Sequence, residues 1–343
     1  MKSKRRTTIT DVAKAASVSP GTVSRVLNQR SGNSKISKET QKQVLEVVER
    51  LGYRPNLFAS ALRTQRTGVI GAVVRDINDP FLLLLTQELQ VEAQKHGLEL
   101  FLSFAKYDPE IARRQLNVMS HWFDGLLLVG DMLDLQAAIS CLNTQDMLFS
   151  GWEESAKNSK PLVRINDARG VELGMDYLYT LGHRRIAFMG NTEFIGIRER
   201  LATFKRYVED KSLIWFDAYL QPCHNTRKDA INCTQILLNL PTPPTAIFCM
   251  TDNLALGSQS GARQMGWRVP ETISIIGFDD IEESATAFPT LTTVRQPVND
   301  MARASFDLLI RCIDNELIDD YQLPVTVEPK LIVRNSCSPP ITT

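Results

Sequence analysis

The feature that most constrains the fold of this chain is an alternation of short apolar runs with longer amphipathic stretches, from about residue 68 to residue 280. The apolar runs have the length and composition of buried strands, and Gly or Pro marks the breaks between them. Six runs are of this kind: VIGAVV at 69–74, LELFLSF at 98–104, GLLLV at 125–129, RIAFMG at 185–190, TAIFCM at 245–250 and SIIGF at 274–278. Such an alternation predicts parallel, doubly wound sheets with helices on both faces.

The amphipathic stretches predict helices over residues 81–95, 109–121, 133–142, 198–208 and 253–265. Because the strand and helix series repeats after about residue 165, we expect two lobes. We assign residues 67–165 and 296–325 to an N-lobe, and residues 166–295 and 326–343 to a C-lobe. Ligands of such sheets bind at the carboxyl ends of the strands, so a cleft between the lobes is the predicted binding site.

The first 66 residues differ from the rest of the chain in charge. They contain 14 Lys and Arg against 4 Asp and Glu, whereas the remaining 277 residues contain 25 against 35. The net charge of zero therefore hides a basic segment of +10 and an acidic remainder of −10. A basic segment of this density is typical of a module that binds nucleic acid, although a solvated basic tail is the alternative.

The basic segment has the pattern of three short helices, which disfavours a tail. Thr10 and Asp11 are the predicted N-cap of the first helix, which a turn at residues 17–19 ends. Ser19 and Pro20 suit the start of a second helix, and a third is predicted from Ser37 to a Gly stop at residue 52. Two helices separated by a tight turn, with polar residues on the outer face of the second, indicate a helix-turn-helix.

The stretch from Ile9 to Asn28 reads I-x-D-V-A-x-x-A-x-V-S-x-x-T-V-S-R-V-L-N, and it resembles the headpiece signature of the LacI/GalR family of regulators. The resemblance extends to Leu291–Pro297 and covers essentially the whole chain. It implies an α/β protein with a helix-turn-helix headpiece at residues 1–54 and a hinge at residues 55–66. A two-lobed body similar to type I periplasmic binding proteins follows at residues 67–343.

The resemblance also implies which residues bind DNA. It places Pro20, Gly21 and Arg25 at base-reading positions, and Arg25 has the only side chain of the three that can donate a hydrogen bond to a base. The other implied DNA contacts are Thr8, Ser19, Thr22, Ser24, Asn28, Ala59 and Leu62. Leu62, in the hinge, would be an apolar wedge between base steps. The alternative is an ordinary tether with Leu62 packed against the body.

For the cleft, residue chemistry and resemblance point to the same positions. A carboxylate such as Asp279, directly after a buried strand, can accept two hydroxyl protons, and Arg200 can donate two parallel hydrogen bonds. Phe81 and Trp152 can stack on an apolar ligand face. The family's effector site adds Asp252 to these four. We expect a sugar, sugar acid or sugar phosphate as effector, with induction and co-repression both open.

Enzymatic function is disfavoured, because the sequence contains no motif for it. No two of the 18 glycines are two residues apart, no Gly-Lys pair offers a phosphate loop, and no histidine has metal-ligand spacing. We expect no catalytic residue, no metal and no cofactor. The six cysteines include no C-x-x-C pair, which indicates reduced thiols and a cytoplasmic protein.

A periplasmic sugar-binding protein is the principal alternative, since its fold would look the same from residue 67 onward. The headpiece, the hinge and an N-terminus without a signal peptide disfavour it, and no run is long enough to cross a membrane. One headpiece reads one half-site, so a homodimer on palindromic operator DNA is expected, with helices that begin near Phe81 and Asn253 at its interface. The predicted function is repression of carbohydrate-utilisation genes under effector control.

Overall fold

The computed structural model describes residues 7–27, 36–54, 66–130, 163–193, 195–314 and 325–341. The chain divides into two compact units, Met1–Thr67 and Gly68–Thr343. We call the first the headpiece and the second the body. Residues 55–65 of the expected hinge and the helix expected at residues 133–142 lie outside the described residues.

The headpiece consists of three helices: α1 Ile9–Ala15, α2 Pro20–Leu27 and α3 Lys38–Arg50. Their apolar faces form one small core, which includes Val12, Val23 and Val44, each with no exposed surface. Gly52, at a φ of 59°, ends the region in the left-handed conformation that glycine adopts without strain. Helix α3 therefore ends where the sequence predicted.

The start of α1 differs from the prediction. Thr8, not Thr10, is the N-cap, because its side chain accepts a hydrogen bond from the Asp11 backbone N–H at 3.3 Å. The Asp11 carboxylate accepts in return from the Thr8 backbone N–H at 2.9 Å, which completes a capping box. The prediction at α2 is confirmed, since Ser19 Oγ accepts from the Thr22 N–H at 3.1 Å and Pro20 is the first helical residue.

The body contains three sheets of described strands. A three-stranded parallel sheet has the order β2-β1-β3, a parallel pair joins β10 and β4, and a six-stranded sheet has the order β11-β9-β8-β7-β5-β6. Only β11 of the six-stranded sheet runs antiparallel to its neighbour. The strands are β1 Val69–Val74, β2 Glu99–Phe104, β3 Gly125–Val129, β4 Val163–Ile165, β5 Ile186–Met189, β6 Leu220–Gln221, β7 Ala246–Cys249, β8 Ser274–Asp279, β9 Thr292–Arg295, β10 Val325–Val327 and β11 Lys330–Ile332.

Helices follow most of these strands, as the alternation predicted. All residues of β1, β3, β5, β7 and β8 are buried, because helices cover both faces of the parallel sheets. The helices of the body are α4 Pro80–Lys95, α5 Pro109–Ser120, α6 Asp167–Thr180, α7 Ile195–Asp210, α8 Arg227–Leu238, α9 Asp252–Gln264, α10 Glu282–Thr286 and α11 Val298–Ile313, with a 3-10 turn at Asp217–Tyr219.

The chain passes three times between the two parts of the body. We call the part built on the three-stranded sheet the N-lobe and the part built on the six-stranded sheet the C-lobe. Helix α11 packs against α4, and the pair β4 and β10 packs against α11, so all three belong to the N-lobe. The passages are therefore β4 to α6, β9 to α11, and β10 to β11.

In the part of the chain that the structure describes, no helix is both long and apolar enough to cross a membrane.

Candidate functional sites

The first candidate site is the outer face of α2. Ser19, Pro20, Gly21 and Arg25 are exposed, and Thr22 is half-buried. Arg25 Nε donates to the Gly21 carbonyl oxygen at 3.2 Å, and its terminal nitrogens make no further hydrogen bond to the described residues. The face therefore presents a guanidinium that can still form a bidentate bond.

Two further predicted DNA contacts, Ser24 and Thr8, belong to the described part of the headpiece. Ser24 is half-buried on α2. Thr8 is exposed, but its hydroxyl donates to Asp11 Oδ2 at 2.7 Å and its oxygen caps α1. Thr8 therefore organises the first helix. Asn28, Ala59 and Leu62 lie outside the described residues.

Sequence reasoning did not single out the start of α3 as part of the site. The structure places it beside α2, where both contribute to one open groove. Ser37 is the N-cap of α3 and accepts from the Thr40 N–H at 3.2 Å. The groove is lined by Val18, Ser19, Thr22, Arg25, Ile36, Ser37 and Thr40.

The second candidate site is a cleft between the N-lobe and the C-lobe, partly open to solvent. Its walls come from Asp279 at the end of β8 and from the loops and helices that follow β1, β2, β5, β6, β7 and β9, the position expected for ligands of parallel sheets. It is lined by Arg75, Asp79, Phe81, Tyr107, Gly190, Asn191, Gly196, Ile197, Arg200, Asn225, Met250, Thr251, Leu254, Asp279 and Gln296.

Arg200 lies in the wall of this cleft, as predicted, and it is only 3% exposed. Its Nε donates to Asp167 Oδ1 at 2.6 Å and its Nη1 to the Met250 carbonyl oxygen at 2.6 Å. Its guanidinium also stacks 3.6 Å above the Phe278 ring centroid. Nη2 makes no hydrogen bond to the described residues, so one donor of a firmly held cation remains for a ligand.

Asp279 ends strand β8 and also lies in the cleft wall, as predicted. Burial raises its pKa well above the usual range, and the negative charge of Asp252 raises it further, whereas Arg200 opposes both. Asp279 and Asp280 have φ values of 127° and 63°, a strained backbone for two consecutive non-glycine residues. Arg295 and Arg334 hold the strained turn through ion pairs to Asp280 at 2.6 and 2.7 Å.

Gln296 is a cleft residue that sequence reasoning did not select. Its Nε2 donates to Asp279 Oδ1 at 2.6 Å, while its Oε1 is buried without a hydrogen-bond partner among the described residues. A buried, unpaired oxygen costs free energy unless a ligand or water donates to it. The signal was present, because Gln296 belongs to the Leu291–Pro297 segment that carried the resemblance.

The N-lobe wall contains an ion pair that the sequence pattern did not reveal. Arg75 follows β1, and its Nη2 lies 2.6 Å from Oδ2 of Asp79, the N-cap of α4. Asn225 Nδ2, from the C-lobe, donates to the same Oδ2 at 3.4 Å, so one hydrogen bond crosses the cleft. The Arg75 guanidinium lies 5.4 Å from the Tyr107 ring centroid. Burial is the main cause that raises the pKa of Tyr107 to about 12.

Of the remaining residues predicted for the cleft, Phe81 lies in its wall and Asp252 does not. Phe81 lines the cleft beside Asp79 and is 4% exposed. Asp252 has no exposed surface and does not line the cleft. Its carboxylate accepts from the Ile281 N–H, Ser284 and Thr293, so it holds the turn after β8 in place. Trp152 lies outside the described residues.

Burial is the main cause that raises the pKa of Asp252 to about 6, and its three hydrogen bonds oppose that rise. Among the described residues, no three His, Cys, Asp or Glu side chains are grouped to hold a metal ion. The cleft residues named above can form hydrogen bonds to a ligand and stack against it.

Comparison with known proteins finds two family models that match this chain. The model of bacterial regulatory proteins of the lacI family matches residues 8–56, and that of the periplasmic binding protein-like domain matches residues 175–337. Catabolite control protein A of Priestia megaterium is 32% identical over 326 residues, which are 94% of this chain and 97% of that protein. The HTH-type transcriptional repressor CytR of Escherichia coli (strain K12) is 30% identical over 98% of each chain.

Among solved structures, the lac repressor dimer bound to operator and the anti-inducer ONPF superimposes with a TM-score of 0.82. The match covers 97% of this chain and 100% of that one, at 24% sequence identity. The fold is therefore that of the lac repressor, with a helix-turn-helix unit and a body like a type I periplasmic binding protein.

Proposed function

This chain belongs to the LacI family of bacterial regulatory proteins, and from that premise we propose that it is a transcriptional repressor whose affinity for operator DNA is controlled by a small molecule bound in the cleft. The observation that carries the proposal is the presence, in one chain, of an exposed donor face on α2 and a polar cleft between two lobes. A periplasmic binding protein needs only the second. An enzyme would need a reacting group that the cleft chemistry does not suggest, so we propose that the chain regulates and does not catalyse.

In the headpiece, α2 enters the major groove and Arg25 donates to guanine O6 and N7. Ser19, Thr22 and Ser24 contact phosphates or base edges, and Pro20 and Gly21 allow close approach because their side chains are small. Arg25 is the best candidate for direct readout, since it is exposed and two of its nitrogens are uncommitted. Asn28, Thr8, Ala59 and the wedge Leu62 complete the proposed DNA contacts.

In the body, the effector contacts Arg200, Asp279, Gln296 and Phe81. A ligand hydroxyl can donate to Gln296 Oε1, and a second can accept from Arg200 Nη2 and donate to Asp279, which satisfies the atoms that the protein leaves open. Phe81 supplies an apolar surface. A sugar-like molecule has this combination of hydroxyls and an apolar face.

Ligand control requires two states of the body with different affinities for DNA. We propose that a change in lobe orientation is the switch, with the passages β4 to α6, β9 to α11 and β10 to β11 as its hinges. In a homodimer on a palindromic operator, that change alters the spacing of the two headpieces. The lac repressor dimer bound to operator supports this assembly. The cytoplasm, where operator DNA is found, is the proposed location.

The proposal is tested by selecting duplexes from a random library with the full-length protein and then titrating the selected duplex. We expect a palindromic sequence, with log affinity falling linearly with log salt concentration, because phosphate contacts release counterions. A panel of sugars and nucleosides should contain a compound that changes operator affinity. If the protein prefers no sequence over random DNA, either alone or with any compound of the panel, the proposal is wrong.

A further inference from the structure

A second open pocket lies in the C-lobe and shares Asn191 with the cleft, and two cysteines line it. Cys223 lies in the loop that follows β6, and Cys233 lies on α8, which begins only four residues after Cys223. Each cysteine is 9% exposed. A small solute that enters this pocket therefore meets both residues.

The two thiols hydrogen-bond to one another, and this contact is the largest cause of the pKa shift of each. It lowers the pKa of Cys233, which accepts the hydrogen bond as a thiolate, and it raises the pKa of Cys223, which donates the bond. Burial raises the pKa of Cys223 further. A thiolate in contact with a second thiol is the arrangement in which one cysteine reacts with an oxidant and the other resolves the product.

The other described cysteines do not share this arrangement. Cys249 has no exposed surface, and its Sγ lies 3.5 Å from Ser258 Oγ. Cys312 and Cys337 do not line this pocket. Burial raises the pKa of Cys249, Cys312 and Cys337 to about 12, about 11 and about 12. Because the thiolate is the nucleophilic form, Cys233 should be the most reactive of the described cysteines.

We propose that Cys223 and Cys233 form an oxidative modification site, whose reactant is a small hydroperoxide such as hydrogen peroxide and whose product is a reversible disulfide between them. The inference does not depend on the proposed function, because it concerns only the chemistry of the C-lobe. The disulfide would close a ring of residues 223–233, which includes Asn225, the residue that bonds Asp79 across the cleft. Oxidation would therefore modify the loop from which one hydrogen bond reaches the N-lobe.

The reaction has two steps. In the first, the Cys233 thiolate attacks one oxygen of hydrogen peroxide, so an S–O bond forms, the O–O bond breaks, and the departing hydroxide takes a proton from solvent to become water. In the second, the Cys223 sulfur attacks the sulfenic sulfur of Cys233, an S–S bond forms, and hydroxide leaves with the Cys223 proton as a second water. Two thiols lose two electrons in total, and one peroxide is reduced to two waters.

The experiment treats the reduced, full-length protein with hydrogen peroxide, stops the reaction by alkylation and maps disulfides by tandem mass spectrometry after trypsin digestion. Trypsin cuts after Arg227 and Lys228, so Cys223 and Cys233 leave in different peptides, 212–227 and 229–263. We expect these two peptides to be linked, and dithiothreitol to separate them. Loss of the two thiols should be about tenfold faster, or more, than loss of the other described thiols, because those are protonated.

Peptide 229–263 also contains Cys249, so two variants identify the linked cysteine. Cys249→Ser should keep the link, and Cys233→Ser should abolish it. Dimedone, which traps sulfenic acids, should label Cys233 in the Cys223→Ser protein and leave Cys223 unlabelled in the Cys233→Ser protein, since only Cys233 has a lowered pKa. Two thiols with a purely structural role would not show this asymmetry.

Three outcomes would overturn the inference. The first is a wild-type protein that keeps its native melting temperature after peroxide treatment and contains no linked peptides, a result that needs no variant. The second is a link that Cys249→Ser abolishes and Cys233→Ser keeps. The third is dimedone labelling of Cys223 and not of Cys233. None of these measurements involves DNA or an effector, so operator selection tests the proposed function independently.

Discussion

The headpiece and the cleft differ in how their functional side chains are held. Those of α2 are exposed, come from one short segment of chain, and need only a capped helix to be presented. Those of the cleft are buried, come from both lobes, and are fixed by partners far away in sequence, such as Asn225 and Asp79, which are 146 residues apart. Changes in the headpiece should therefore alter recognition with little loss of stability, whereas changes in the cleft should alter both.

The largest effect is expected for Arg200→Ala, which removes the buried cation that pairs with the Asp167 carboxylate at 2.6 Å. We expect a loss of about 3 to 5 kcal/mol in the free energy of unfolding, measured by urea denaturation. Arg206→Ala, on the same helix with a mostly exposed pair to Glu172, should lose no more than about 0.5 kcal/mol. Equal losses of unfolding free energy in Arg200→Ala and Arg206→Ala would contradict the expectation that a buried ion pair matters more to stability than an exposed one.

Acid should distinguish the two units, because residues 1–66 contain no histidine and the body contains the buried His183. Burial lowers the pKa of His183 to about 4. A lowered pKa means that the folded state favours neutral imidazole, so this contribution is complete above pH 6.5 and lost as the pH falls towards 4. The loss is about 3 kcal/mol.

The measurement is the free energy of unfolding of the body between pH 7 and pH 4, for wild type and His183→Gln. The variant should be less stable at pH 7, because His183 bonds Thr245 and Ser274 at 2.9 and 3.0 Å, but its stability should fall less with acid. An unchanged slope in the variant would assign the acid sensitivity to other groups.

Asp279→Asn should separate ligand binding from DNA binding. It keeps the side-chain shape and replaces the carboxyl group by an amide, so affinity for the effector identified in the panel should fall on the order of 10- to 100-fold. Operator affinity without ligand should stay within about twofold, since the headpiece has its own core. Isothermal titration measures the affinity for the effector, and fluorescence anisotropy measures the affinity for the operator. Normal effector affinity in Asp279→Asn would show that Asp279 does not belong to the effector site.

Arg25→Ala should show the reverse behaviour. Discrimination between the selected operator and a variant with the contacted guanine replaced should fall by about 1 to 3 kcal/mol. The melting temperature of the protein should hardly change, because the side chain is exposed. An equal loss of affinity on specific and random duplexes would make Arg25 a phosphate contact instead.

Thr8→Ala tests the smallest effect, in the headpiece itself. Loss of the capping box should cost about 1 kcal/mol of headpiece stability, and Thr8→Ser, which retains the hydroxyl, should recover most of it. If Thr8→Ser recovers the stability but still binds DNA more weakly than wild type, the threonine methyl group itself takes part in the proposed DNA contact; a Thr8→Ala headpiece as stable as wild type would contradict the role of the capping box.

The fold was largely predictable from sequence, because its signals are local. Each of the six apolar runs is a strand, and Ser19 and Pro20 start α2 as expected. The short strands β4, β6, β10 and β11 and the helices α6, α8 and α11 were not singled out. Strands of two or three residues have too little periodicity to recognise.

The cleft was predictable only in part, because its chemistry depends on contacts that sequence spacing does not encode. Asp252 and Asp279 both follow buried strands, yet only Asp279 reaches the cleft. Gly277 explains the difference in part, since a Cβ at that position would lie 2.1 Å from Asp252 Oδ1. Because glycine has no side chain, the Asp252 carboxylate fits against the backbone of β8. This packing joins two residues that are 25 positions apart in the sequence, so local spacing does not reveal it.

The three passages between the lobes also set the order in which the protein can be completed during synthesis. The described headpiece ends at residue 54, so its three helices can pack soon after they leave the ribosome. The N-lobe begins at β1 but needs α11 and β10, which end at residues 313 and 327. In a nascent chain, the three headpiece helices can therefore be folded well before the N-lobe receives α11 and β10.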